Sequence, residues 1–267
     1  MARCIVIGAN GFIGAAVAAE AVRRGYETVS VDRAHYEEFK GQAADLLVHA
    51  AGNARKYVDE RDPVAGFERT VAAIVPILLE FRPRRFIHLS SGAVYPHEGD
   101  PARNREDAPL APEDMTRYGF HKWLAEQLVR HHAADWIILR LGGCVGPGLR
   151  KNALYDLLTG GPLFVHPDSE FQYMDVRDVA AAIFQLHESG LAAGTVLNLS
   201  ARGTVSIRQA AAWAGRTLPA DADQSPRCRA ELNVERAAER LFLPETAEVV
   251  RKFIRETKSG RIRLETG

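Results

Sequence analysis

Residues 3–14 read RCIVIGANGFIG, an apolar run that breaks into glycine at positions 8, 11 and 14 and then continues as GFIGAAVAAEAVRRG. The opening run suits a strand buried on both faces, and the segment after it has the spacing of a helix that closes at Gly25. Glycines between a first strand and a first helix permit a tight turn and close backbone approach, and the helix N-terminus then offers free N–H groups to a pyrophosphate. Spaced glycines alone say little. Placed at this junction they predict a dinucleotide site formed by Gly8, Asn10, Gly11, Phe12, Ile13 and Gly14. The bland alternative is a turn that merely needs glycine.

Working outward, ETVSVD reads as a second strand, with Asp32 at its end, eighteen residues after Gly14. A carboxylate there would accept the adenosine ribose hydroxyls and repel a 2'-phosphate, which favours NAD over NADP. Arg33 beside it pulls the other way, because a guanidinium accommodates that phosphate, and a solvated strand-end residue is the plain alternative for Asp32. DLLVHAAG is a third strand, and Ala50, Ala51 and Gly52 after it would line the cofactor cleft. A long apolar-faced helix over about 62–81, the strand RFIHLSS and a Pro-rich charged loop come next. PEDMTRYGFHKWLAEQLVRHH then reads as a helix opened by Pro112 and two acids, and DWIILRLG as the fifth strand. Five strands alternating with helices before residue 142 predict an α/β fold, a Rossmann-like doubly wound parallel sheet.

Beyond GCVGPG the texture changes to one short helix and two short apolar runs, PLFV and EFQYM. The helix RDVAAAIFQLHES and the strand TVLNLS then offer a return to the main sheet, and mainly helical segments follow. Residues 1–148, with about 175–200, are expected to form the NAD(P)-binding domain. Residues 149–174 and 201–267 would form a small, partly interleaved C-terminal substrate lobe, with a ligand cleft between the two.

The 267 residues carry 34 basic and 34 acidic side chains, so no basic excess points to nucleic acid or an anionic membrane. No apolar run has the length of a membrane span, and glycines interrupt the N-terminal apolar stretch too early for a signal peptide. Cys4, Cys144 and Cys228 are odd in number and far apart, which suggests neither a disulfide framework nor a structural metal and fits the reducing cytoplasm. The histidines show no metal-ligand spacing.

RYGFHKWLAE, residues 117–126, sets Tyr118 one helical turn ahead of Lys122, on the same helix face. Such pairs are common on ordinary surfaces. Here, however, GANGFIG, HAAG, LSSGAVYP, YGFHK, LRLGGCVGPG and FQYMDVRDVAAAI occur in an order that resembles the extended short-chain dehydrogenase/reductases, the NAD-dependent epimerase/dehydratase family. The resemblance runs from residue 1 to about 200 and fades thereafter. It implies a nicotinamide cofactor, a smaller substrate domain, a small-molecule substrate that is usually a nucleotide sugar, and a homodimer through helices 62–81 and 113–131.

By this resemblance Tyr118 matches the catalytic tyrosine, Lys122 the catalytic lysine, and Ser91 the serine that hydrogen-bonds the reacting oxygen. A free phenol, with a pKa of about 10, is a poor base near neutrality, but an ammonium one turn away and a positive nicotinamide would stabilise its phenolate. Tyr118 and Lys122 would also touch the cofactor, Lys122 through the nicotinamide ribose. Ser90 is the neighbouring candidate, but strand alternation turns it to the opposite side. Ser91, Gly92, Tyr118, Gly143, Lys151, Asn152 and Arg177 are the expected substrate-binding residues. Arg150, Lys151, Asn152, Arg177 and Arg227 fall where the family binds a nucleotide diphosphate, although each alone is as readily a solvated surface residue. His49 reads as a packed strand residue and Arg140 as structural.

Several departures from the family pattern stand out. Only eleven residues separate SVDR from DLLVHAAG, too few for the helix, strand and acidic turn that usually cover the adenine, so one edge strand is expected to be missing. Thr70 stands where the long helix usually carries asparagine, and Gly143 replaces the asparagine often found before VYGPG. Pro76 lies inside the long helix, where proline costs roughly 3 kcal/mol or kinks the chain. Gly92 and Ala93 occupy the place of the acidic pair that family dehydratases carry, which disfavours a 4,6-dehydratase and a decarboxylase. What remains is an NAD-dependent epimerase working through a transient ketone, or an oxidoreductase on a sugar hydroxyl or ketone. An NADP-dependent keto-sugar reductase and a non-catalytic dinucleotide sensor are the alternatives. The sensor would need the glycine turn but has no use for Tyr118 and Lys122.

Overall fold

In the computed structural model, which describes residues 1–53 and 56–264, strand and helix alternate through the first half of the chain. The order is β1 (Arg3–Ile7), α1 (Phe12–Arg23), β2 (Glu27–Val31), the one-turn α2 (Tyr36–Phe39), β3 (Ala43–His49), α3 (Lys56–Arg61), α4 (Pro63–Phe67), α5 (Ile74–Glu80), β4 (Arg82–Ser91), α6 (Arg117–His132) and β5 (Trp136–Leu141). Then follow β6 (Gly143–Val145), α7 (Ala153–Thr159), β7 (Glu170–Phe171), β8 (Tyr173–Asp175), α8 (Val176–Glu188), β9 (Thr195–Leu199), β10 (Val205–Ser206), α9 (Ile207–Ala214), β11 (Arg229–Ala230), α10 (Glu235–Ala238) and α11 (Thr246–Lys258).

Six strands form a parallel sheet in the order β2-β1-β3-β4-β5-β9, the doubly wound α/β arrangement expected from the alternation. Successive side chains serve opposite cores, as they must in strands covered on both sides. Cys4, Val6, Leu46, Val48, Ile87 and Leu89 pack on the side of α1 and α8. Ile5, Leu47, Phe86 and Ile138 pack against Ile74 and Ile77 of α5 and Ala125 and Val129 of α6. Strand β2 is an edge: residues 32–42 hold only one helical turn, so the strand expected to be missing is absent. The register sets Ile7 level with both Val31 and His49. The chain therefore leaves three adjacent strands side by side, at Gly8, Asp32 and Ala50.

Two helix expectations need correction. The segment from about 62 to 81 is not one regular helix, because a π-turn at Glu68–Ala72 separates α4 from α5 and Ala73 N–H bonds the Glu68 carbonyl at 3.0 Å. Pro76 has no N–H to offer the carbonyl one turn back and its ring crowds that carbonyl; a widened turn just ahead lets the chain continue as helix. Pro112 and its two acids do not open α6 either. They form a separate 3-10 turn, and α6 starts at Arg117 with Thr116 as its cap, the Oγ1 accepting from Gly119 N–H at 3.1 Å.

The remaining segments pair among themselves in a three-stranded sheet, β10-β7-β11, and a two-stranded β6-β8 ladder, flanked by α7, α9 and α11. Among the described residues, no helix is long and apolar enough to cross a membrane.

Candidate active site

The glycine turn is built by close backbone packing. Gly8 has φ +84°, its N–H bonds the Val31 carbonyl at 2.8 Å, and a side chain there would press to 2.9 Å from Ala51 N. At Gly14 an added Cβ would sit 2.1 Å from the Gly8 carbonyl oxygen, so the first turn of α1 can lie on the loop only because this residue is glycine. Gly11, the residue capping α1, supplies no side-chain bond to the first turn. The N–H groups that open α1 therefore have a bare approach, the form a diphosphate needs. Phe12 and Ile13 pack partly buried against the core below.

Asn10 ties the turn to the end of β2, its Nδ2 donating to Asp32 Oδ2 at 2.6 Å. The other Asp32 oxygen accepts from Ala34 N–H at 2.9 Å, His35 N–H at 3.1 Å and the His35 ring at 2.9 Å. These bonds, the His35 ring first, hold the half-buried Asp32 carboxyl below the usual range. Arg33 is exposed beside it. Ala50 N–H bonds the Ile7 carbonyl at 2.9 Å, which carries Ala51 and Gly52 across the front of the turn.

At the end of β4 the two serines part, as strand alternation requires. Ser90 is buried and donates to Glu126 at 2.6 Å. Glu126 also takes both ends of the Arg140 guanidinium, at 3.0 and 2.7 Å, and Arg140 reaches Tyr95, which donates to Asn198. Ser91 faces the other way, accepts from Ala93 N–H at 3.2 Å and lies beside Tyr118, close enough for its hydroxyl to favour the phenolate. The closeness comes from Gly119. A Cβ there would lie 2.0 Å from the Ala93 carbonyl oxygen, so glycine lets the first turn of α6 press onto the bend after Ser91.

Tyr118 and Lys122 are both buried, with Lys122 Nζ 5.9 Å from the Tyr118 ring centre. Burial pushes the phenol well above its usual value, and the Ser91 hydroxyl opposes the rise. For Lys122 burial lowers the pKa to about 8, against the pull of Asp59 and Glu126. Gly52, at φ +125°, would place a Cβ 3.5 Å from the Lys122 ammonium, so the end of β3 and the front of α6 meet at this cation. Ser91, Tyr118, Lys122 and Gly52 thus converge. Such a phenol holds its proton until a further positive charge arrives, which is a useful property in a proton carrier.

The expected substrate residues are placed differently. Gly92 is buried under Leu232, whose Cδ2 would lie 2.6 Å from an added Cβ, and Gly143 packs on the Gln172 carbonyl. Lys151 pairs with Asp156 at 2.6 Å and lies over the Phe164 ring. Asn152 caps α7, accepting from Tyr155 N–H at 2.7 Å and donating to the Cys144 carbonyl at 3.1 Å. Arg177 is paired with Asp175 at 2.5 Å and Glu256 at 2.6 Å. Each has a partner within the chain, while Arg150 and Arg227 are exposed.

The model of the NAD dependent epimerase/dehydratase family matches residues 4–200. The chain belongs to this family. It is accordingly an enzyme that uses NAD, which sets aside a non-catalytic sensor. Among solved structures, a UDP-galactose 4-epimerase matches 97% of the chain and 99% of its own length at 23% identity and a TM-score of 0.77. A Bacillus cereus UDP-glucuronic acid 4-epimerase, solved with UDP-glucuronic acid and NAD, covers 96% and 99% at 15% identity and 0.76. A dTDP-4-dehydrorhamnose reductase from Bacillus anthracis str. Ames, solved with NADP, covers 96% and 98% at 16% identity and 0.73. At these identities the likeness is one of fold. No curated protein sequence matches the chain.

This family member also carries two buried polar pairs beside the site that the sequence did not reveal. His49, expected to be a packed strand residue, is buried, and its Nδ1 lies 2.9 Å from that of His88 on the next strand. Burial lowers the His49 pKa to about 3, so it packs as a neutral ring. Asp59 and His121 meet at 2.6 Å, also buried, and Asn53 donates to the same carboxylate. No periodicity links residues so distant in the chain. The one available signal was a histidine beside Lys122.

Proposed function

We propose that this protein is an NAD-dependent epimerase or oxidoreductase acting on a sugar hydroxyl or ketone, with a nucleotide sugar as substrate. The observation that carries the reading is the convergence of Ser91, Tyr118 and Lys122 at the strand ends, in front of the glycine turn. Gly8, Asn10, Gly11, Phe12, Ile13 and Gly14, with Ala50, Ala51 and Gly52, would hold the dinucleotide, and the start of α1 would take its diphosphate. Asp32 exchanges its bonds to Asn10 and His35 for the ribose hydroxyls. Bound there, NAD would supply a hydride acceptor for a sugar carbon and a donor for the return step.

Tyr118 takes the proton from the sugar hydroxyl and gives it back, while Ser91 donates to the same oxygen and fixes its position. Lys122 stabilises the phenolate by its charge and orients the nicotinamide ribose. Gly92 and Ala93 add no acid or base, so the residues support one proton relay and not an elimination. Gly143, Lys151, Asn152 and Arg177 are assigned to the substrate by the family pattern, and Lys151 would turn from Asp156 to a phosphate.

The test is incubation with a panel of UDP, GDP, CDP and dTDP sugars, with and without cofactor. An epimerase converts a sugar to its epimer with no net change in reduced nicotinamide absorbance, whereas a reductase consumes that absorbance in step with product. Conversion of no sugar in the panel would overturn the proposal.

A further inference from the structure

Asp59, in the short helix α3, is fully buried. One carboxylate oxygen accepts from His121 Nδ1 at 2.6 Å, and the other accepts from the Asn53 side-chain amide. Gly66 closes the box, since a Cβ there would come 2.5 Å from Asp59 Oδ1. Both partners adjoin residues of the site. His121 precedes Lys122 on α6, and Asn53 follows Gly52, whose backbone lies against the Lys122 ammonium.

A buried carboxylate confined this closely demands a reason, because removing it from water is costly unless it is fully hydrogen-bonded. We propose that Asp59, gripped by His121 and Asn53, is a positioning residue for Lys122: its negative charge keeps that buried cation charged, and its bonds clamp the Gly52–Asn53 turn onto α6. The proposal rests on the role given to Lys122 above.

The groups around Lys122 can be named from each side. Its own helix presents Tyr118 and Glu126, α3 presents Asp59, and His49 and His88 face it from β3 and β4. His49 is held neutral by burial, and burial lowers the His88 pKa as well. Glu126 is already committed to Arg140 and Ser90. Burial acts against the ammonium, and the charges of Asp59 and then Glu126 oppose it. Burial is the main cause that raises the Tyr118 pKa, and the charges of Glu98 and then Asp59 add to it.

The experiment follows the lysine directly. In protein labelled with ¹³C at the lysine ε-carbons, the Lys122 signal is assigned by its loss in Lys122→Met and titrated in the wild type, Asp59→Asn and Asp59→Glu. Asparagine keeps the shape and removes the charge; glutamate keeps the charge and disturbs the shape. The midpoint should fall by about one pH unit or more in Asp59→Asn and stay near the wild-type value in Asp59→Glu. The pH limb of turnover should move with it. Equal midpoints in wild type and Asp59→Asn would overturn the proposal, and so would an equal fall in Asp59→Glu, since shape alone would then explain the effect. The midpoint is read without substrate. A shift in Asp59→Asn protein that is matched by no sugar conversion in the wild type would support the placement of Asp59 and count only against the proposed reaction.

Discussion

Glu126 and Lys122 sit one turn apart on α6, both buried, yet the protein treats them in opposite ways. Glu126 accepts from Ser90 and from two nitrogens of Arg140, so its charge is neutralised and its oxygens are filled. Among the described residues Lys122 has no such bidentate partner; burial depresses its pKa to about 8, and the Tyr118 phenol beside it resists ionisation. The first arrangement closes on itself and holds β4, β5 and α6 together. The second leaves a buried cation and a buried phenol whose protonation new charge from a ligand would change, which suits the role proposed for them.

The largest expected effect falls on the open side. Tyr118→Phe removes one oxygen and should cut turnover by about 10²- to 10⁴-fold, the span that general acid–base catalysis supplies. Cofactor binding and folding should persist, because the ring stays packed. Initial rates together with a fluorescence titration of NAD would show it. A variant keeping more than a tenth of its turnover would break the contrast, since Tyr118 would then be another packing residue.

On the closed side the loss should be in stability. Glu126→Ala leaves the fully buried Arg140 without its counter-charge, and breaking a buried pair in this way costs about 3–5 kcal/mol. Urea unfolding measures it. A loss below about 1 kcal/mol would mean that water or Tyr95 takes over the guanidinium, and that the network is less closed than its distances suggest.

Much of this contrast could be read from the sequence where neighbours in the chain determine the outcome. The glycine turn depends on Gly8 and Gly14, six residues apart, and their need for absent side chains is a local steric fact. The choice of Ser91 over Ser90 follows from the period of a strand, and the two hydroxyls do face opposite ways. The missing edge strand was a matter of counting residues. Legibility failed where distant residues decide. Asp59 and His121 are 62 positions apart, and only the packing of α3 on α6 makes them a pair. Pro112 carried the signals of a helix start, yet Thr116 and Gly119 set the true one, because the helix must begin where it can press on Ala93. The family's diphosphate region points to Lys151 and Arg177, but the sequence does not show that Arg177 pairs with Glu256, 79 positions away.

The smallest and most specific effect concerns the pH dependence of stability. Lys122 falls from 10.5 to about 8 on folding, so below pH 8 the folded protein carries a buried charge that the unfolded chain holds in water at no cost. Between about pH 8 and 10.5 the unfolded chain binds more protons at this residue, and stability must therefore rise with pH. Buried Cys4 and half-buried Cys144, raised to about 12, and Tyr118, raised by burial, act in the opposite sense, because they stay protonated in the fold while the unfolded chain ionises. A bare stability curve would blend these terms. The difference between wild type and Lys122→Met isolates the lysine. From pH 8 to about 9.5 it should move in favour of the wild type by about 1.6 kcal/mol, since each pH unit carries about 1.36 kcal/mol once the proton difference is complete and at pH 8 it is only half so. Urea unfolding of both proteins at the two pH values, without cofactor, makes the measurement. A difference that stays flat would mean that Lys122 titrates as it does in water, and that the two charges on α6 are kept less differently than their surroundings indicate.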